Sequence, residues 1–97
     1  MDESGRTAFR ELIEARIAEW ERNITNLGHR MAKAKDDPEA KGKVEALKAK
    51  LPILAEKAKE TPQVSDEGWP DFKSEVDLMF EDMIWMQNYV MRRLGAS

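Results

Sequence analysis

The chain has 97 residues, 41% of them hydrophobic and 36% charged, and a formal net charge of −3. This length fits one small domain, and the lack of cysteine excludes disulfides and thiolate metal sites. No apolar run approaches the ~20 residues that span a bilayer, and residues 1–6 are acidic rather than signal-like. We therefore expect one soluble, cytoplasmic domain over residues 1–97.

Three segments carry apolar residues at alternating steps of three and four, the pattern of helices that bury one stripe in a supercoiled bundle. The first ladder is Ile13, Ile17, Trp20, Ile24, Leu27, Met31 and Ala34. The second ladder is Ala40, Val44, Leu47, Leu51, Leu54 and Ala58. The third ladder is Phe72, Val76, Met79, Met83, Met86, Val90 and Leu94. The pattern predicts an all-α fold, an antiparallel up-down-up three-helix coiled-coil bundle, with Trp20 and Phe72 in the core.

The first helix is predicted over about residues 5–35, with Ser4 or Thr7 as its N-cap. The pair Asp37-Pro38 then indicates a new helix, because aspartate accepts the first free backbone N–H groups and proline suits the first helical position.

The second helix is predicted over residues 38–60, and the third over about 66–94 with Asp66 as its cap. Pro52 falls inside the second helix, so we expect a bend near residues 48–51. Gly95 follows the last apolar residue and has the position of a C-terminal glycine stop.

Charge is unevenly distributed along the chain. Residues 30–59 hold nine bases against five acids, and residues 60–91 hold eight acids against Lys73 alone. A basic second helix beside an acidic third helix favours pairing between the two. The lysines lack the aromatic neighbours that stack on bases, which argues against nucleic-acid binding.

Two segments resemble a family of small bacterial coiled-coil proteins of about this length, often labelled stress-response proteins. In the first helix the resemblance rests on Phe9, Ile13, Ile17, Trp20, Ile24 and Leu27. In the third helix it rests on Trp69, Pro70, Asp71, Phe72, Lys73 and Phe80. The resemblance implies a three-helix coiled coil linked to stress or envelope physiology, with no catalytic residues. Pro52 and the methionine-rich end of the third helix depart from the family pattern.

The sequence contains no constellation typical of catalysis. His29, the sole histidine, is predicted on the surface, and no Glu-x-x-His pair supports a di-iron site. The acids of the third helix lie on its polar arc: Glu75, Asp77, Glu81 and Asp82. No activated nucleophile or phosphate-binding glycine loop is present. We expect a protein that is not an enzyme and that binds no cofactor, metal or small-molecule substrate.

The third helix also carries a second apolar stripe, formed by Leu78, Trp85 and Tyr89 on the side opposite its ladder. One interpretation has another part of the chain fold over this stripe. A second makes it a self-association surface, most simply a two-fold homodimer. A third makes it a groove for a partner helix or a lipid-coated surface.

The leading hypothesis is a non-enzymatic interaction module that associates through the third helix, as a homo-oligomer or with a partner helix. The alternative is a peripheral lipid- or granule-surface protein resembling phasin-type helical proteins. Acids beside the stripe disfavour that alternative, because anionic headgroups repel them.

Overall fold

The computed structural model describes residues 3–33 and 37–95. These ranges contain three α-helices, α1 (Glu3–Lys33), α2 (Pro38–Glu60) and α3 (Trp69–Arg93), with a 3₁₀ turn over Thr61–Gln63 before α3. The chain forms a rod of 49 × 20 × 19 Å. The predicted all-α, up-down-up three-helix bundle is confirmed.

The three apolar ladders form the core of the rod. The buried ladder members are Ile13, Trp20, Ile24, Leu27, Ala40, Val44, Leu47, Leu54, Ala58, Phe72, Val76, Met83, Met86 and Val90. The half-buried ones pack around them: Ile17, Met31, Leu51, Met79 and Leu94. Trp20 and Phe72 are 6% and 7% exposed, as predicted for core residues. Ala34 lies outside the described residues.

Helix α2 packs closely against both of its neighbours, whereas α1 and α3 meet mainly through long side chains. Its buried stripe contains the small residues Ala40 and Ala58, which let the backbones approach. Between α1 and α3 the contacts are made by large groups, such as the rings of Phe9 and Trp69 at 5.4 Å. Small residues therefore accompany the close packing of α2, and large residues lie between α1 and α3.

The start of α2 follows the prediction and the start of α1 does not. Asp37 is the N-cap of α2, and its carboxylate accepts the backbone N–H groups of Glu39 and Ala40 at 3.1 and 3.2 Å. Helix α1 is already helical at Glu3, so Ser4 and Thr7 lie within the helix instead of capping it. Residues 34–36, where the first helix was predicted to end, lie outside the described residues.

Helix α3 begins three residues later than predicted. The chain turns at Asp66–Gly68, and the Ser65 hydroxyl accepts the backbone N–H of Gly68 at 3.0 Å. Asp66 does not cap the helix, because its carboxylate accepts a hydrogen bond from Arg6 on α1 at 2.6 Å. At the other end Gly95 has a positive φ of 78°, which confirms the predicted glycine stop.

Helix α2 continues through Pro52, as the unbroken phase of Leu51, Leu54 and Ala58 requires. The proline side chain is exposed, so its ring displaces no core residue. Its backbone nitrogen carries no hydrogen and leaves one helical hydrogen bond unmade. The bend near residues 48–51 stays a prediction.

Candidate interaction surface

Large apolar side chains remain exposed on all three helices, and α3 carries most of them. They are Leu12 at 45%, Ile53 at 47%, Leu78 at 62%, Ile84 at 47% and Trp85 at 58% exposure. The two most exposed, Leu78 and Trp85, both belong to the predicted stripe. Contacts with Tyr89 and with Lys43 of α2 still leave Trp85 more than half exposed, and Leu78 is more exposed again, so the described chain does not fold over these two residues. Their exposure leaves an apolar surface available to a partner.

Tyr89, the third residue of the predicted stripe, is half-buried and held against α2. Its hydroxyl donates a hydrogen bond to the Glu39 carboxylate at 2.5 Å. That hydrogen bond, reinforced by desolvation, raises the pKa of Tyr89 above its ordinary value. Tyr89 therefore packs beneath the surface, and Leu78 and Trp85 form its exposed part.

The ring of Trp85 is held in place by two neighbours. It stacks on the ring of Tyr89 with the ring centroids 5.7 Å apart. The Lys43 ammonium of α2 lies 5.4 Å from the centroid of Trp85 and 5.5 Å from that of Tyr89. Such cation–π contacts, together with the stacking, favour this orientation of the ring. Trp85 is thus exposed but positioned before any partner arrives.

A network of charged groups joins the end of α3 to the start of α2. The Arg93 guanidinium donates to both carboxylate oxygens of Asp37, at 2.9 and 3.1 Å, and lies 3.4 Å from the Glu39 carboxylate. The Arg93 hydrogen bond holds the pKa of Asp37 below its ordinary value and, in return, raises the pKa of Arg93. Arg93 therefore contacts both Asp37, which caps α2, and Glu39, which holds the Tyr89 hydroxyl.

The contacts between α2 and α3 follow a single antiparallel register. Three lysines at intervals of seven on α2 meet three α3 residues at intervals of seven in reverse order. Lys43 contacts Tyr89, Lys50 lies 3.8 Å from Asp82, and Lys57 lies 2.7 Å from Glu75. The predicted pairing of a basic second helix with an acidic third helix is confirmed.

This register places a further apolar side chain beside the stripe. Ile53 lies between Lys50 and Lys57 along α2, and Leu78 lies between Glu75 and Asp82 along α3. At 100° per residue, each is turned about 40–60° outward from the charged residues that flank it. We call the exposed surface formed by Leu78 and Trp85 the α3 face. Ile53 of α2 lies level with Leu78 and is included in it.

The other potential sites hold little chemistry. His29 is exposed on α1, as predicted. Among residues 3–33 and 37–95, no three acids or histidines come together in a way that could hold a metal ion. A shallow groove of about 520 Å³ between α1 and α2 includes Met31 and Val44, and two of its charged lining residues, Glu45 and Lys48, pair with each other at 3.3 Å. Glu75 and Asp82 face the lysines of α2, not each other.

An aromatic cluster at one end of the bundle was not predicted from the residues themselves. Trp69 is 5% exposed and stacks on Phe72 at 5.9 Å, with Phe9 edge-on at 5.4 Å and the Arg6 guanidinium 5.5 Å from its ring. The hydrogen bond from Arg6 also lowers the pKa of Asp66. Extending the first and third ladders one step towards their N-termini reaches Phe9 and Trp69, so the signal was present.

Comparison with known protein families, with curated proteins and with solved structures finds no match for this chain. Among the described helices, none combines the length and the apolar character needed to cross a membrane. The geometry of the α3 face is therefore the basis for assigning a function.

Proposed function

We propose that the protein is a non-enzymatic interaction module that self-associates through the α3 face. The observation that carries the proposal is the exposure of Leu78 and Trp85, at 62% and 58%. The opposite side of the same helix is buried in the core. Tryptophan in a supported, exposed position is a favoured anchor of protein interfaces. The resemblance to small bacterial coiled-coil proteins is compatible with such a role and stays a prediction.

The preformed position of Trp85 favours a role in binding over the alternative that the ring is exposed without a function. Its stacking on Tyr89 and its contact with Lys43 favour the rotamer that it adopts. A side chain that is fixed before binding loses less conformational entropy in the complex. The cluster that holds Tyr89 thereby contributes to association without entering the interface.

Acidic groups beside the α3 face favour a protein partner over a lipid surface. Glu75 and Asp82, which flank Leu78 along the helix, are paired with Lys57 and Lys50, but Glu81 is exposed on the same side of α3 and makes no ion pair among the described residues. Anionic headgroups repel such an unpaired carboxylate. No step of the proposal requires catalysis, a cofactor or nucleic acid.

The test compares Trp85→Glu with Leu12→Glu by size-exclusion chromatography with light scattering and by circular dichroism. Leu12 is the matched control, because it is an exposed apolar residue of α1 at 45% exposure. Trp85→Glu should give monomer at concentrations where the native chain associates, with unchanged helicity, and Leu12→Glu should not. Loss of helicity in Trp85→Glu would make Trp85 a core residue and contradict the proposal. Flotation of the native chain with anionic vesicles, without self-association, would support the lipid-surface alternative.

A further inference from the structure

Four exposed residues of α3 form one column along the α3 face. Asp71, Leu78, Trp85 and Arg92 follow one another at intervals of seven, and all four are exposed. Residues seven apart drift by only about 20° around a straight helix, so the column occupies one of the two positions per heptad that coiled coils bury. Its order along the helix is acid, apolar, apolar, base.

This order selects one arrangement of two identical helices. In an antiparallel pair with a two-fold axis midway between Leu78 and Trp85, Leu78 faces Trp85 of the second copy and Asp71 faces Arg92 of the second copy. A parallel pair would instead place Asp71 opposite its own counterpart and Arg92 opposite its own counterpart. Like charges face each other in that arrangement, which is unfavourable.

We infer that the partner of the α3 face is a second copy of this chain, packed antiparallel on α3 about a two-fold axis between Leu78 and Trp85. The inference rests on the proposed function and specifies its partner and register. Such an interface is isologous, because each copy contributes the same column of residues.

The shape of the molecule allows enough contact for this arrangement. A stable interface buries about 800 Å² on each partner. The end of the rod measures only 20 × 19 Å, but its long axis measures 49 Å. Side-by-side packing along α3 therefore offers the longer contact and can reach the required area.

The charges next to the column are arranged unequally around the proposed axis. On the α2 side, Asp82 and Glu75 are already paired with Lys50 and Lys57. On the other side, Glu81 makes no ion pair among the described residues and lies near the axis, where it faces Glu81 of the second copy. This repulsion weakens the dimer, so Glu81→Gln should tighten the dimer Kd by roughly two- to five-fold. Asp77→Asn is the control, because Asp77 is turned about 80–100° away from the column.

Single-cysteine crosslinking reads the register directly, because the native chain has no cysteine. The variants Asp71→Cys and Arg92→Cys each place one thiol at one end of the column, outside the apolar contact. Positions 71 and 92 are about 31 Å apart along the helix at 1.5 Å per residue. In the inferred dimer, position 71 lies next to position 92 of the second copy and far from its own counterpart.

A short thiol-to-thiol crosslinker is added to each variant alone and to a mixture of the two. Light scattering gives the solution mass of the same samples. We expect crosslinked dimer in the mixture and little in either variant alone. Crosslinking within one variant alone would indicate parallel packing and overturn the inference. A dimeric mass without any crosslink, or no tightening by Glu81→Gln, would overturn the register while leaving the proposed function intact. A monomeric native chain would overturn both.

Discussion

The ring of Trp85 stacks on the ring of Tyr89, with the planes inclined by 22°, but only Tyr89 makes a hydrogen bond to α2. The two residues are four apart on one side of α3, where side chains of adjacent turns meet. The Tyr89 hydroxyl donates a hydrogen bond to Glu39, whereas Trp85 remains 58% exposed. One aromatic residue is thus part of the bundle and the other is part of its surface.

The hydrogen bond between Tyr89 and Glu39 predicts an elevated tyrosine titration. Because ionisation of the phenol breaks this bond and places two negative charges together, the pKa of Tyr89 is raised above its ordinary value. The chain has one tyrosine, so its ultraviolet absorbance on alkaline titration reports this residue alone. Glu39→Gln should lower the midpoint. An unchanged midpoint in Glu39→Gln would show that the hydroxyl does not bind the carboxylate.

Core and surface leucines should differ in their contribution to stability. Leu54 is fully buried and Leu78 is 62% exposed. We expect Leu54→Ala to lower the free energy of unfolding by ~2–5 kcal/mol, and Leu78→Ala to change it by less than about 0.5 kcal/mol. Urea denaturation at a concentration that keeps the chain monomeric measures both. A comparable loss in the two variants would mean that Leu78 is covered in solution.

Replacing Pro52 should stabilise the protein. The proline interrupts the hydrogen-bond ladder of α2, and its side chain is exposed, so Pro52→Ala restores a backbone donor without creating a cavity. An interior proline costs ~3 kcal/mol relative to alanine, which sets an upper limit on the gain in unfolding free energy. Thermal denaturation compares this variant with Ile53→Ala, its exposed neighbour on α2. If Pro52→Ala destabilises the fold, α2 needs the proline geometry to reach both neighbours.

Acid should weaken the junction between α2 and α3. Arg93 lowers the pKa of Asp37, so the folded state binds a proton there less readily than the unfolded state does. The contribution of Asp37 is therefore complete above its unfolded pKa of about 4 and is lost as pH falls through its lower folded value. Asp37→Asn should lower stability at pH 7 and flatten the decline of stability below pH 4. Equal acid sensitivity in the variant would assign that decline to other carboxylates.

Most of the fold follows from periodicity. The heptad ladders define which side each helix buries, and Asp37 with Pro38 defines where α2 starts, because these are local patterns with one structural solution. The starts of α1 and α3 were predicted less well. Asp66 has the chemistry of a cap, but the distant residue Arg6 binds it, and sequence spacing does not reveal a contact between residues 60 positions apart.

The candidate site was only partly predictable for the same reason. Helical spacing places Leu78, Trp85 and Tyr89 on one stripe, but it cannot say which of them a neighbouring helix will hold. That outcome depends on the register between α2 and α3, which brings Glu39 and Lys43 to Tyr89. Ile53 joins the α3 face through the same register.

The solution mass of the native chain across a concentration series shows whether the α3 face joins two copies. Size-exclusion chromatography with light scattering should show a mass that rises with concentration towards twice the 11.2 kDa of one chain. That result would make the α3 face an interface between copies. A mass that stays at 11.2 kDa at every concentration would contradict self-association through Leu78 and Trp85.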